Sequence, residues 1–194
     1  MLLRFLFLIS LYPTLALGQP KNTDCVESVN LYQTYQNYTE GDSIDSICLS
    51  DKKNKILVFY NKLVLKELGK KNRKFPHGSI WGYKKGSDLF RYFDAGTMFG
   101  TYGFHQVVGQ NHGLIIYVKK ENCGYVGAVS TSTCSYYFYS KDLTTSLKKL
   151  TVENLETDYP NPSFLEEVKG LKSLKEKGAN SALKINQIYK RYFP

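Results

Sequence analysis

Histidine is scarce in this chain of 194 residues: there are three, His77, His105 and His112, alongside one tryptophan and two methionines. The spacings that carry common chemistries are missing too. No Cys-x-x-Cys or His-x-x-x-His pair offers a zinc or redox site, so the expectation is no metal. No Gly-x-x-x-x-Gly-Lys-Ser/Thr or Gly-x-Gly-x-x-Gly run opens a nucleotide site, and no cofactor is expected. Neither His-Glu-x-x-His nor Gly-x-Ser-x-Gly marks a hydrolase. Internal repeats and low-complexity tracts are absent.

What is present starts at the first residue. MLLRFLFLISLYPTLALG combines an early cation, Arg4, with an apolar run ending in the small residues Ala16 and Gly18. The run is interrupted by Pro13 and is shorter than the roughly 20 apolar residues that span a bilayer. Residues 1–18 are therefore expected to be a signal peptide cleaved near Gly18/Gln19. Its removal leaves 176 residues, enough for one domain. Four cysteines remain, Cys25, Cys48, Cys123 and Cys134, an even number in a chain bound for an oxidising compartment, periplasmic or extracellular. Of the three possible pairings, the sequence-local one, Cys25 with Cys48 and Cys123 with Cys134, closes each bridge inside one supersecondary unit.

The formal charge is +9, or +8 once Arg4 is removed. A charge of this size speaks of partners rather than fold. The densest cluster, Lys70, Lys71, Arg73 and Lys74, is a candidate anion-binding site, weighed against solvated turns and guarded strand edges. Export disfavours nucleic acid; an anionic polysaccharide or a membrane surface suits the same charge. Sixteen tyrosines are unusual. They suit sheet faces, with the ring packed and the hydroxyl wet, and the same chemistry makes sugar-binding platforms.

Helical spacing over Asp24 to Tyr38 predicts an N-terminal helix, and Asn37-Tyr38-Thr39 is a formal glycosylation sequon if the host is eukaryotic. From Lys55 the chain turns to short apolar runs between turns: Ile56 to Tyr60, Leu63 to Leu68, Ser79 to Lys84, Leu89 to Phe93, Gln106 to Val108, Leu114 to Lys119 and Ser135 to Tyr139. Lys85-Gly86-Ser87-Asp88 has hairpin chemistry. Thr151 to Thr157 predicts a short helix. Asn161-Pro162-Ser163 opens another, with a Ser163/Glu166 capping box, and a last helix follows Gly178.

The stretch Ala95 to Gly113 holds five glycines among aromatics and reads as a bulged strand or a long loop. Phe99, Tyr102, Phe104 and His105 are its candidate binding lip. His105 and His112 flank the segment and, beside a carboxylate such as Asp94, define the alternative of a secreted hydrolase. Glu166-Glu167 lies on an ordinary amphipathic helix and makes a poor glycosidase pair.

Ser79-Ile80-Trp81-Gly82-Tyr83-Lys84, Phe90-Arg91-Tyr92-Phe93, Ile115-Ile116-Tyr117, Tyr136-Tyr137-Phe138-Tyr139-Ser140-Lys141, Leu150-Thr151-Val152-Glu153-Asn154-Leu155 and Lys184-Ile185-Asn186 together resemble a group of small exported Bacteroidetes proteins of unassigned function. The resemblance covers residues 55–193 and implies organisation and an envelope location, with no catalytic residue. The expected fold is α+β: a curled antiparallel sheet or small barrel of about seven strands, an N-terminal helix and two or three C-terminal helices. The expected divisions are 19–54, a β region over 55–141 and a helical region over 142–194. The expected role is a non-catalytic binding or envelope-associated module for an anionic glycan, lipid or protein, with a structural or protein-interaction module as a further alternative signalled by a large exposed apolar patch.

Overall fold

A computed structural model describes residues 25, 27–50, 55–59, 62–94, 102–126, 129–171 and 179–194. The expected leader and Phe99 lie outside them. The chain is α+β. Its strands are β1 (Ser28–Tyr32), β2 (Asp45–Cys48), β3 (Ile56–Val58), β4 (Lys62–Leu65), β5 (Arg73–Pro76), β6 (Gly82–Lys85), β7 (Asp88–Phe93), β8 (Gly103–Asn111), β9 (Leu114–Val126), β10 (Val129–Ser140) and β11 (Lys148–Lys149). Its helices are α1 (Tyr35–Glu40), α2 (Val152–Asp158), α3 (Pro162–Lys169) and α4 (Ala179–Tyr192).

Eight strands form one antiparallel sheet in the order β11-β10-β9-β8-β7-β6-β1-β2, and β3-β4-β5 form a second, three-stranded sheet. The large sheet is open, with β11 and β2 as edges, which corrects the barrel alternative and the count of about seven. The N-terminal helix is corrected as well. Val29, Leu31 and Tyr32 are buried on a strand, and the helix that follows is six residues long, capped by Thr34, whose Oγ1 accepts from Asn37 N at 3.1 Å. Cys25, Val29, Tyr32 and Gln36 fit a helical spacing while Val29 and Leu31 fit a period of two, and sheet burial decided between them. Both sequence-local disulfides form, Cys25–Cys48 and Cys123–Cys134, each with Cα atoms 5.6 Å apart.

Register assigns the faces. Leu31, Tyr83, Phe90, Gln106, Val118 and Tyr137 follow one another across β1, β6, β7, β8, β9 and β10, so all six point the same way. On this face one layer of cover is helical. Leu114, Ile116 and Tyr139 pack against Leu155 of α2, Phe164 and Val168 of α3, and Ile185 and Tyr189 of α4. The other layer is the small sheet, whose Leu63 and Leu65 pack on Val29, Leu31, Ile47 and Tyr83. The opposite face buries Leu89, Phe93, Ile115, Tyr117 and Phe138 under Leu143. Each fully buried aliphatic or phenyl side chain contributes about 1.5–3 kcal/mol of transfer free energy.

The helices start where their caps are. Thr151 Oγ1 accepts from Asn154 N at 3.3 Å, and Asn161 Oδ1 accepts from Phe164 N at 3.1 Å with Pro162 in the first turn. Asn161, rather than the expected Ser163, is thus the cap of α3. Two glycines of the glycine-rich stretch seat α4 on the sheet. A Cβ on Gly109 would lie 2.5 Å from Asn186 Nδ2, and one on Gly113 would lie 2.5 Å from the Tyr189 hydroxyl. Asn111 Nδ2 completes the contact by donating to Asn186 O at 2.8 Å. The β8–β9 register shifts between Val107 and Gly109, the bulge expected there.

Beyond Val118, β9 pairs only with β10, because β8 turns to β7 at His105 and Phe104. The β9–β10 hairpin therefore runs on as a two-stranded arm. Such a ribbon is marginal alone; here Cys123–Cys134 ties it.

Candidate binding cleft

The basic cluster lies on the turn into β5 and on β5 itself, and its charge is partly answered. Arg73 pairs with Asp45 and, at 4.0 Å, with Glu67, which also takes Lys70 at 2.7 Å. Lys71 and Lys74 are exposed.

Three residues of the candidate aromatic lip, Tyr102, Phe104 and His105, lie among the described ones. Phe104 and His105 are successive residues of β8 and are buried on opposite faces. Phe104 packs on Tyr83 and Tyr92, with centroids 5.1 and 5.3 Å away. His105 lies between Phe93 and Phe138, at 5.3 and 5.1 Å, with Nδ1 3.1 Å from Gly103 O. Tyr102 is half-buried, its hydroxyl 3.0 Å from His77 Nδ1. His77 itself is buried in the short 3-10 turn after β5, and burial pulls its pKa below the usual histidine value against the opposing effect of the Lys62 carbonyl.

His112 sits exposed in the β8–β9 turn. Seven residues of extended chain separate it from His105, roughly 23 Å, so the two histidines do not converge. Asp94 is exposed at the end of β7. Among the described residues no three His, Cys, Asp or Glu side chains form a metal-binding group.

A buried polar cluster that the sequence did not reveal lies on the face opposite the helices. Arg91 is 7% exposed; its Nη1 donates to Thr145 O at 3.0 Å and to the Tyr117 hydroxyl at 3.3 Å, and its guanidinium lies 4.0 Å from the Phe93 ring. Tyr117 and Ser140 share a hydrogen bond of 2.9 Å, and Ser140 Oγ donates to Asp142 O at 2.5 Å. Asp142 Oδ1 in turn accepts from Thr144 Oγ1 and Thr144 N, both at 2.6 Å, and from Thr145 N at 2.8 Å, which holds its carboxyl below the usual carboxylate range. Burial depresses the Arg91 pKa, opposed by Tyr117 and Asp142. The cluster fastens the 141–147 loop to the sheet. Its oxygens are occupied by one another, and it offers no nucleophile beside a base.

The arrangement that faces outward is a cleft of about 550 Å³ on the helix-bearing face, lined by residues of β7 to β10 and by Leu183 of α4. Its floor is the row Gln106, Val118, Tyr137. Lys120 and Ser135 rise from the root of the hairpin arm, Asp88 from the β6–β7 turn, and Val108 and Leu183 form apolar walls, Leu183 being 47% exposed. Five polar side chains, Asp88, Gln106, Lys120, Ser135 and Tyr137, thus converge here, and none forms a hydrogen bond or ion pair with another described residue. Asp158, by contrast, accepts from the Tyr139 hydroxyl and from Lys148, both at 2.7 Å, and these outweigh its burial to hold its pKa low.

Hydroxyl, amide, one cation and one anion beside apolar walls can grip a small ligand with one apolar face and several polar edges, and the volume falls within the range of such sites. Strand alternation alone places Lys120 with Val118 and Ser135 with Tyr137. The register that sets these strands beside Gln106, and the helix that walls them, are tertiary facts with no local signal. No protein-family model, no curated protein and no solved structure matches the chain.

Proposed function

We propose that this chain is an exported, non-catalytic binding module that takes a small acidic saccharide in the sheet-face cleft. The observation that carries the reading is the convergence of five internally unmatched polar side chains on a concave, partly apolar surface. A sugar ring offers a C–H face to Val118 and Leu183 and hydroxyls to Gln106, Ser135 and Tyr137. Lys120 supplies a point charge for a carboxylate or sulfate, and the charge of +8 left after removal of the leader draws anions to the surface. Export is supported by the leader-like first eighteen residues and by two disulfides. Among the described residues no helix is long and apolar enough to cross a membrane.

The test is calorimetric titration of the disulfide-bonded chain with a heparin-derived tetrasaccharide and with a neutral glucose tetrasaccharide. The acidic sugar should bind, more weakly as salt rises, and Ser135→Trp, which fills the cleft, should abolish the heat while leaving the thermal midpoint in place. Equal binding of the neutral sugar, or full affinity in Ser135→Trp, contradicts the proposal.

A further inference from the structure

We infer that Asn37 is an N-glycan acceptor, and that the glycan stands on the face of the sheet opposite the cleft. The inference rests on the exported reading above and on the eukaryotic secretory host that the sequon presupposes, though not on the identity of the ligand. Two Asn-x-Ser/Thr frames occur in the sequence, Asn37-Tyr38-Thr39 and Asn161-Pro162-Ser163. The second is closed to the transferase by its central proline, and Asn161 caps α3 instead. Asn37 is different. It stands at the third position of α1, where its Oδ1 accepts from Thr34 N at 3.2 Å and from Thr34 Oγ1 at 2.8 Å. Its Nδ2, the atom that carries a glycan, makes no hydrogen bond with a described residue. A glycosylated Asn37 keeps its carbonyl and therefore its cap, so the modified side chain fits the folded helix without loss of a contact.

The flanking residues fix the direction. Tyr38 turns inward, its ring 5.3 Å from Trp81 and 5.4 Å from Tyr32, in the cluster with Leu89, Phe93 and Tyr117. That cluster lies on the face away from α4 and the cleft. Tyr35, two residues before the acceptor, is 38% exposed and lies 5.6 Å from Trp81, which leaves a ring beside the attachment point for the first sugar to rest on. In the folded protein Thr39 Oγ1 donates to Gln36 O at 2.8 Å. Transfer therefore belongs to the nascent chain, in which a helix of six residues has no stability of its own. In that step an oligosaccharyltransferase breaks the bond between the anomeric carbon and the pyrophosphate of a lipid-linked oligosaccharide. The Asn37 amide nitrogen loses a proton and bonds to that carbon, and the lipid pyrophosphate leaves.

The experiment is expression of the full chain with its own leader in a eukaryotic secretory host, followed by intact mass and peptide mapping before and after peptide-N-glycosidase. One glycan is expected, on the peptide containing Asn37. Thr39→Ala, which leaves the Thr34–Asn37 cap intact, should remove it, and Thr39→Ser should retain it. The glycosylated chain should bind the same acidic tetrasaccharide as the enzyme-deglycosylated chain. A secreted product with both disulfides formed and an unmodified Asn37 overturns this inference while leaving the export reading standing. Retention of the chain in the cytosol overturns both.

Discussion

Gly109→Ala tests how α4 is seated, and the structure sets both the size and the sign of its effect. In an isolated strand alanine is favoured over glycine by about 0.5–1 kcal/mol, because glycine loses more backbone freedom on folding. At this position the new Cβ would meet Asn186 Nδ2 at 2.5 Å and Asn186 Cγ at 3.0 Å. The Asn186 side chain cannot swing away freely, since both its Oδ1 and its backbone carbonyl accept from Asn111 Nδ2. Overpacking of this kind costs about 1–3 kcal/mol, so Gly109→Ala should be destabilising in urea titration despite the local preference. Asn186→Ala alone loses one side-chain hydrogen bond, about 1 kcal/mol, while Asn111 keeps the carbonyl of residue 186. In the Asn186→Ala background the obstruction is gone, and Gly109→Ala should turn neutral or stabilising. A double-mutant cycle that is additive to within about 0.5 kcal/mol would show that α4 does not rest on Gly109 and would refute the argument.

Three further outcomes follow from named contacts. Phe164→Ala, at a fully buried site packed against Tyr159, Tyr189 and Phe193, should lower unfolding free energy by about 3–5 kcal/mol in urea titration. Cys123→Ser with Cys134→Ser should cost about 2–3 kcal/mol for so short a loop, and hydrogen exchange should quicken in the β9–β10 arm while the β1–β6 amides stay protected; uniform loss of protection would contradict the arm's independence. His77 has a depressed pKa in the folded state through burial. Its contribution to stability is complete above its unfolded pKa of about 6.5 and is lost as pH falls below it, so the thermal midpoint should drop between pH 7 and pH 5 and His77→Gln should flatten that step. A second drop near pH 4 should survive in the variant, because the pKa values of Glu27, Asp142 and Asp158 are also depressed.

The parts of this fold that were legible in the sequence are those set by local chemistry. Gly86, at φ 57°, makes the hairpin between β6 and β7 where Lys85-Gly86-Ser87-Asp88 announced one. Thr151 and Pro162 placed the starts of α2 and α3 to within a residue or two. Cysteine spacing favoured both bridges. What failed was tertiary in origin. Val29 and Leu31 joined a sheet because Ile47 and Tyr83 were there to pair beside them. Between Cys123 and Cys134 the chain is small and polar, and cross-strand pairing and the bridge draw it into the arm. In the stretch read as a bulged strand or a long loop, Gly109 and Gly113 are places of close approach by α4. Arg91 gives no sign in the strand pattern of its burial, which comes from Phe93, Tyr117 and the loop returning at Thr145. The cleft escaped for the same reason, since strand register and the placing of α4 make it.

The most direct test of the central claim is a pair of titrations of the disulfide-bonded chain with a heparin-derived tetrasaccharide, one of the parent and one of Lys120→Met. The account predicts saturable binding by the parent that weakens with salt, and in Lys120→Met a clear loss of affinity together with a shallower salt dependence. Identical affinity and identical salt dependence in the two proteins would place the anion elsewhere and contradict the assignment of the cleft.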